Sequence, residues 1–241
     1  MDRYAITFAI RPGSEAAVAA VLGDYARPPT EVDADTRLLR TTVFLRGTTV
    51  VRVVDVEGFI GTVMAHLARQ PEVQEVERLL NPHLVEPRDL DDADAARAFF
   101  ARSMMQVLTQ RSAPGAASRV GSRHALVYPV LPRRGPEVDA IVQAGGDPPA
   151  AARSASPLLG TTVFRKDDLV VRMFEIDGSL EGASDQLTRA TPLLQAGRAL
   201  QHLLVGTTDL TTEAGLRAFL VEQSMTVVTD RVAGRPAEAA R

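Results

Sequence analysis

Two arginines on predicted β-strands are the first candidates for chemistry in this sequence. Arg52 and Arg172 each lie in a run of apolar residues, and strand alternation places Arg52 on the same face as Val50 and Val54. A guanidinium among apolar side chains needs an anionic partner, because burying an unpaired charge is costly. Either a carboxylate of the protein, forming a structural salt bridge, or the oxygen of an enolate or phenolate substrate would serve.

The histidines are candidates for general acid–base catalysis, because imidazole titrates near neutral pH. They are His66, His83, His124 and His202. Their spacing does not match that of metal ligands and no carboxylate cluster accompanies them, so no metal site is predicted. His83 is predicted to share a strand face with Asn81, which would orient either the imidazole or a substrate carbonyl. His66 is predicted to flank the inward face of a helix, and we interpret His66, His83 and Arg52 as catalytic.

Further polar residues are interpreted as substrate-binding. Tyr4 and Tyr128 lie on predicted strands, where a phenol can hydrogen-bond to a ligand hydroxyl or form part of a core with a solvated tip. The predicted substrate-binding residues are Tyr4, Asn81, Tyr128, Arg172 and His202. No GxGxxG or GxxxxGK[ST] motif occurs, Ser154 and Ser156 lack the context of a hydrolase nucleophile, and the chain has no cysteine. The expected cofactor is therefore none.

The element that must position these residues is a hairpin that occurs twice. LLRTTVFLRGTTVVRVVDVEG, residues 38–58, recurs 120 positions later as LLGTTVFRKDDLVVRMFEIDG, residues 158–178. Each copy has two β-branched runs joined by a polar turn. The offset holds without a gap from residue pair 3/123 to pair 111/231, with about thirty identical pairs. The sequence predicts two fused copies of one domain, with these boundaries: residues 1–111, a linker at 112–122, residues 123–232 and a tail at 233–241.

Within one copy the pattern predicts β-α-β-β-α-β followed by a final helix. The predicted elements of the first copy are a strand over 4–10, a helix from Ser14, the hairpin, a helix over 59–70, a strand over 79–87 and a helix over 91–111. Helices would cover one face of the sheet, and Val43, Val51 and Val53 make the other face apolar too. The predicted fold class is α+β, with tandem ferredoxin-like domains forming an intramolecular dimeric α/β-barrel.

Composition limits the classes of partner. A net charge of −3 gives no broad electrostatic reason to bind nucleic acid or an anionic membrane. No apolar run approaches the roughly 18 residues of a membrane span, and the N-terminus reads as a strand instead of a signal peptide. We expect a cytoplasmic monomer or homodimer that binds a small molecule.

Taken together, these features resemble the SchA/CurD-like proteins. The resemblance is carried by the N-terminal strand, the TTVF-turn-VVR hairpin and the Met-x-Val-x-Thr-x-Arg ending at 105–111 and 225–231. Such proteins accompany bacterial type II polyketide synthases. The resemblance implies a tailoring enzyme of aromatic polyketides, with a fold related to the antibiotic-biosynthesis monooxygenases. It further implies a cofactor-independent monooxygenase that hydroxylates a polycyclic phenol or enol through its anion, with O₂ as co-substrate.

Two other functions fit the same sequence. One is a polyketide cyclase or aromatase, and the other is a non-catalytic partner of the polyketide synthase complex, which needs no ligand-sized pocket. The polar candidates have diverged between the copies, since Gln201 and Leu203 replace Asn81 and His83. A fused pair need not keep both sites active. We therefore predict that the N-terminal copy holds the main site, between its helices and its sheet.

Overall fold

The computed structural model describes most of the chain. It covers residues 1–90, 92–113, 115–116, 119–144, 157–180, 182–183, 191–206 and 208–233. Several sequence predictions fall outside these ranges, namely those for linker residues 114, 117 and 118, for Ser154 and Ser156, and for tail residues 234–241. Within the described residues, no helix is long and apolar enough to cross a membrane.

The described elements alternate strands with short helices. In chain order they are β1 (Asp2–Ala9), α1 (Glu15–Gly23), β2 (Arg37–Arg46), β3 (Thr49–Glu57), α2 (Ile60–Ala68), α3 (Pro71–Leu80), a 3₁₀ turn (Asn81–His83), α4 (Ala93–Ser103), β4 (Met104–Ser112), β5 (Ser122–Pro129), α5 (Gly135–Ala144), β6 (Leu158–Lys166), β7 (Leu169–Ile176), α6 (Thr191–Leu200), a second 3₁₀ turn (Gln201–Leu203), α7 (Glu213–Gln223) and β8 (Thr226–Val232).

The chain forms two compact units that do not follow the sequence repeat. The first unit comprises Met1–Met104 with Val227–Arg241, and the second comprises Met105–Thr226. The strand order is β1-β3-β2-β8 in the first unit and β5-β7-β6-β4 in the second. The last strand of each repeat therefore completes the sheet built on the hairpin of the other repeat.

The sheet of the first unit is buried on both faces. In the antiparallel register, Ile6 of β1 and Val43 of β2 lie opposite Arg52 of β3, so these three residues share the face that α1 and α3 cover. Val51 and Val53 alternate to the other face and are fully buried. The sequence grouped Val43 with them, which is wrong, because Val43 packs in the helix-covered core. The predicted fold class, α+β with tandem ferredoxin-like domains of the dimeric α/β-barrel type, is confirmed.

Two predicted elements near the end of the first repeat are wrong. The predicted strand over 79–87 is the end of α3 followed by a 3₁₀ turn, with a single bridge from Leu84 to Ile10. The predicted helix over 91–111 ends at Ser103, and the rest is β4. Met105 and Leu108, spaced like a helical stripe, are both buried because a register shift between Val107 and Thr109 interrupts the alternation of the strand.

An ion pair between two neighbouring strands, β1 and β3 in the first unit and β5 and β7 in the second, is common to both repeats. In the first unit Arg3 binds Asp55 through two hydrogen bonds of 2.6 and 2.9 Å, with both side chains at most 5% exposed. Arg123 and Glu175 occupy the equivalent positions of the second unit. Each pair is a structural salt bridge within its sheet, and Arg52 takes no part in either.

Candidate functional site

A cavity of about 370 Å³ lies in the first unit, between the helix-covered face of the sheet and the helices α2, α3 and α4. Its volume falls within the range of roughly 300–1,000 Å³ typical of small-molecule sites. Most of its wall is apolar, formed by Ile6, Phe8, Leu38, Val54, Met64, Leu67, Val73, Leu90, Phe99 and Phe100. The polar groups in this wall are mainly arginine side chains, so the cavity is suited to an apolar ligand that carries negative charge.

Arg52 lines the cavity from the middle of β3. Its side chain lies on the helix-covered face because strand residues alternate, and Val50 on the same face is fully buried. The Nε atom of Arg52 is buried and has no hydrogen-bond partner among the described residues. Arg52 also forms no ion pair with any described carboxylate. Among the described residues, therefore, nothing supports the alternative that Arg52 serves a structural salt bridge.

Arg88 lines the cavity from the loop before α4. Its guanidinium lies between the rings of Phe8 and Phe99, 4.4 Å from each ring centroid. Two hydrogen bonds of 2.6 and 2.9 Å join it to Glu77 of α3, whose carboxylate neutralises the charge. The remaining Nη1 atom is buried without a partner among the described residues.

Asn81 holds the backbone of Arg88 and does not line the cavity. Its side-chain amide donates to the carbonyl oxygen of Arg88 at 2.7 Å, and its side-chain oxygen accepts from the amide of Arg88 at 2.9 Å. Asn81 therefore positions a cavity residue, whereas the sequence placed it on a strand beside His83.

Arg231 reaches the cavity from β8, the last strand of the second repeat. Its guanidinium stacks 3.9 Å from the ring centroid of Tyr25 and donates to the backbone oxygen of Tyr25 at 2.9 Å. The strand is fixed to β2 by Asp230, which accepts hydrogen bonds from Arg40 at 2.5 and 2.8 Å and from Thr42 at 2.9 Å. A residue of the second repeat is thus built into the cavity of the first unit.

Three further residues predicted from the first repeat lie outside the described cavity wall. His66 lies on α2, where its Nε2 is 3.2 Å from the side-chain nitrogen of Gln70. His83 lies in the 3₁₀ turn, with its Nδ1 3.1 Å from the hydroxyl of Ser14. Tyr4 packs against a small cluster that includes the cavity-wall residues Leu38 and Val54, but it does not itself line the cavity. The catalytic roles of His66 and His83 stay predictions, since neither belongs to the described cavity wall that Arg52 lines.

The predicted residues of the second repeat lie in the second unit. Arg172 lies with its guanidinium carbon 5.7 Å from the ring centroid of Tyr128, and its buried Nε has no partner among the described residues. Tyr128 is a core residue, 5% exposed, in edge contact with Phe219. His202 is exposed in the second 3₁₀ turn. The structure therefore brings Arg172 and Tyr128 together and leaves His202 apart.

Sequence reasoning missed most of the polar residues around the cavity. The signal that would have found them is divergence between the repeats, where a charged residue in the first copy faces a small or neutral residue in the second. The pairs are Arg40 and Gly160, Glu77 and Gly197, and Arg88 and Thr208. These divergent groups do not have the side chains of typical acid–base catalysts, because their role is to bind a ligand or to position a neighbouring residue.

Gly197 shows why the second unit has no equivalent of the cavity residue Glu77. A Cβ atom on Gly197 would lie 2.6 Å from the backbone oxygen of Leu210, so α6 packs too closely there for the equivalent of Glu77. Phe174 stands where the first unit has Val54, and it belongs to a continuous apolar core with Leu210. At these two described positions, a larger strand residue and a close approach of α6 to Leu210 replace the cavity residues Val54 and Glu77 of the first unit.

Potential metal ligands are not grouped in the described part of the chain, where no three histidine, aspartate or glutamate side chains lie close enough to hold an ion.

The fold and the cavity define the class of the molecule, a ferredoxin-like α+β protein with an arginine-lined apolar cavity between helices and sheet. The chain belongs to the family of the SchA/CurD like domain, whose sequence profile matches residues 1–113 and again residues 122–233. The resemblance carried by the two hairpins is thereby confirmed.

Two relatives come from Streptomyces. The chain is 40% identical over 232 residues to a 42.8 kDa protein in the whiE locus of Streptomyces coelicolor, which covers 95% of this chain and 58% of the relative. It is 39% identical over 248 residues to the polyketide synthase CurD of Streptomyces cyaneus, covering 98% of this chain and 65% of the relative. The chain thus spans less than two thirds of the length of either protein.

A solved structure has a similar fold over most of its length. The chain resembles a provisionally assigned monooxygenase from Fusobacterium nucleatum with a TM-score of 0.52, and the match covers 96% of this chain and 94% of that protein. The two sequences are only 9% identical, so the likeness is evidence for the fold alone.

Proposed function

We propose that this protein is a tailoring enzyme of aromatic polyketide biosynthesis that oxygenates a polycyclic phenol or enol through its anion, with O₂ as co-substrate and no cofactor. Membership of the SchA/CurD family and the relative named as a polyketide synthase support the substrate class. The cavity supports an enzyme over a non-catalytic partner of the synthase complex, because the latter needs no ligand-sized space in the chain.

The observation that carries the proposal is the buried Nε of Arg52, which has no acceptor among the described residues and lies in the mostly apolar wall of the cavity. A phenolate or enolate oxygen supplies that acceptor. A hydrogen bond to a charged group contributes about 1.5–3 kcal/mol. Since one pKa unit corresponds to about 1.4 kcal/mol, Arg52 would lower the pKa of a bound phenol by about one to two units. The cavity thereby raises the fraction of substrate present as the electron-rich anion.

The reaction balances without an external reductant. The phenolate transfers one electron to O₂, and the resulting phenoxyl radical and superoxide combine to form a C–O bond at a ring carbon. That carbon loses its hydrogen as a proton while the O–O bond breaks, which leaves a carbonyl and releases the second oxygen as water. The sum is phenol plus O₂ giving quinone plus water, so the substrate supplies all four electrons. The protein has to hold the anion and exclude water, which suits the aromatic wall.

Oxygen uptake with 1,5-dihydroxynaphthalene as a probe tests the proposal. We expect one O₂ consumed per quinone formed, one ¹⁸O atom from labelled O₂ in the product, and activity that survives EDTA treatment in protein free of flavin. Arg52→Gln should lower kcat/KM about 10- to 150-fold. The matched control is Arg37→Gln, because Arg37 lies on β2 in an exposed pair with Glu57, outside the described cavity wall.

Two outcomes would overturn this function. Equal kcat/KM for Arg52→Gln and wild type would show that Arg52 takes no part in the reaction. Turnover of a poly-β-ketone chain under anaerobic conditions, without uptake of O₂ by any phenol, would instead identify a cyclase.

A further inference from the structure

We infer that the ligand of this cavity carries a second negative group, a carboxylate, which binds Arg231 while the phenolate binds Arg52. The inference rests on the proposed function for the identity of the first anion. It makes the substrate class more specific, from a polycyclic phenol to a polycyclic phenol that bears a carboxylate.

Two of the arginines that line the cavity have carboxylate partners. Arg40 is neutralised by Asp230, and Arg88 is neutralised by Glu77. Arg27 also lines the cavity, but it is an exposed residue. These residues add no uncompensated charge to the interior.

Arg231 has neutral hydrogen-bond partners among the described residues. Its Nε donates to the hydroxyl of Thr229 at 3.2 Å, and its Nη2 donates to the backbone oxygens of Tyr25 at 2.9 Å and Gly23 at 3.4 Å. Its Nη1 is buried without a partner in the described part of the chain. Arg52 and Arg231 are both half-buried in the cavity wall, and no described carboxylate neutralises either charge. Two such positive charges match a ligand with two negative charges.

The sheet separates the two charges. Arg52 lies on β3 and Arg231 on β8, with β2 between them, so their strands are two spacings or about 10 Å apart. This separation favours anions at different positions of one ring system over the two oxygens of one group. A carboxylate is the better second anion because its pKa near 4 leaves it ionised at neutral pH, whereas a second phenol must lose a proton beside an existing negative charge.

Four probe ligands test the separate contributions of the phenolate and of the carboxylate to binding. They are 6-hydroxy-2-naphthoate, its neutral methyl ester, 2-naphthol and 2-naphthoate, each titrated calorimetrically into the full chain. We expect 6-hydroxy-2-naphthoate to bind at least about tenfold more tightly than its ester or 2-naphthol. Arg231→Gln should abolish the preference for the acid over the ester, and Arg231→Lys should restore part of it. Arg111→Gln, the equivalent position in the first repeat, should preserve it. Because the preference is a ratio measured within one variant, partial unfolding does not mimic its loss.

The outcomes distinguish this inference from the proposed function. Equal affinity for acid and ester, or a preference that survives in Arg231→Gln, overturns the second anion site and leaves phenol oxygenation standing. A preference lost in Arg231→Gln supports the site even if no probe consumes O₂, and in that case only the proposed reaction fails.

Discussion

Replacing Arg52 by methionine should leave the ligand-free protein as stable as the wild type or more stable. The side chain places a positive charge in an apolar cavity without a partner among the described residues. Desolvating a fully buried ion costs several kcal/mol, and Arg52 is only half-buried. We therefore expect the free energy of unfolding to rise by about 0–1 kcal/mol, which corresponds to a gain in Tm of about 0–4 °C for a chain of this size.

Arg3→Met provides the contrast within the same sheet. The guanidinium of Arg3 makes two hydrogen bonds to Asp55, and both side chains are buried. Removing it leaves the carboxylate of Asp55 buried without that partner, a change that typically costs about 3–5 kcal/mol. The corresponding fall in Tm is about 6–20 °C.

Thermal unfolding followed by circular dichroism, with and without 6-hydroxy-2-naphthoate, measures both changes. In wild type the ligand should raise Tm, because it binds the folded state, and Arg52→Met should lose most of that increase. A loss of stability in Arg52→Met as large as that in Arg3→Met would refute the reasoning. It would mean that Arg52 supports the fold and that its unpartnered nitrogen is no guide to a ligand.

Two further variants test the other polar residues. Asn81→Ala removes two hydrogen bonds to the backbone of Arg88, so it should lower the free energy of unfolding, measured by chemical denaturation, by about 1–3 kcal/mol. It should also weaken the binding of 6-hydroxy-2-naphthoate measured by calorimetry. Unchanged affinity would show that the loop carrying Arg88 does not need these hydrogen bonds to bind the ligand. The predicted catalytic roles of His66 and His83 require that His66→Ala and His83→Ala lower oxygen uptake more than His202→Ala at equal folded fraction, and full activity in both would end that assignment.

Much of the fold was predictable because it depends on local residue patterns and on an internal sequence repeat. Alternation of apolar residues is a property of one strand and needs no knowledge of its neighbours, so it identified the hairpins and the face on which Arg52 lies. The gapless offset of 120 residues identified two copies of one domain. The same local reasoning failed at residues 79–87 and 104–111, where the spacing of Met105 and Leu108 is compatible with a helix or with a strand that has a bulge.

Most of the cavity depends on information that no local pattern contains. The sequence indicated Arg52 because its apolar neighbours are adjacent in the chain, but Glu77 and Arg88 meet only through the folding of α3 and the loop before α4. Arg231 lies about 180 positions from Arg52 in the sequence and joins the same cavity because β8 pairs with β2 and not with the sheet of its own repeat. Both repeats have similar strands, so either pairing satisfies the apolar pattern. The choice belongs to the tertiary structure, where Asp230 binds Arg40 across the two strands while the equivalent residues of the other sheet are Gln110 and Gly160.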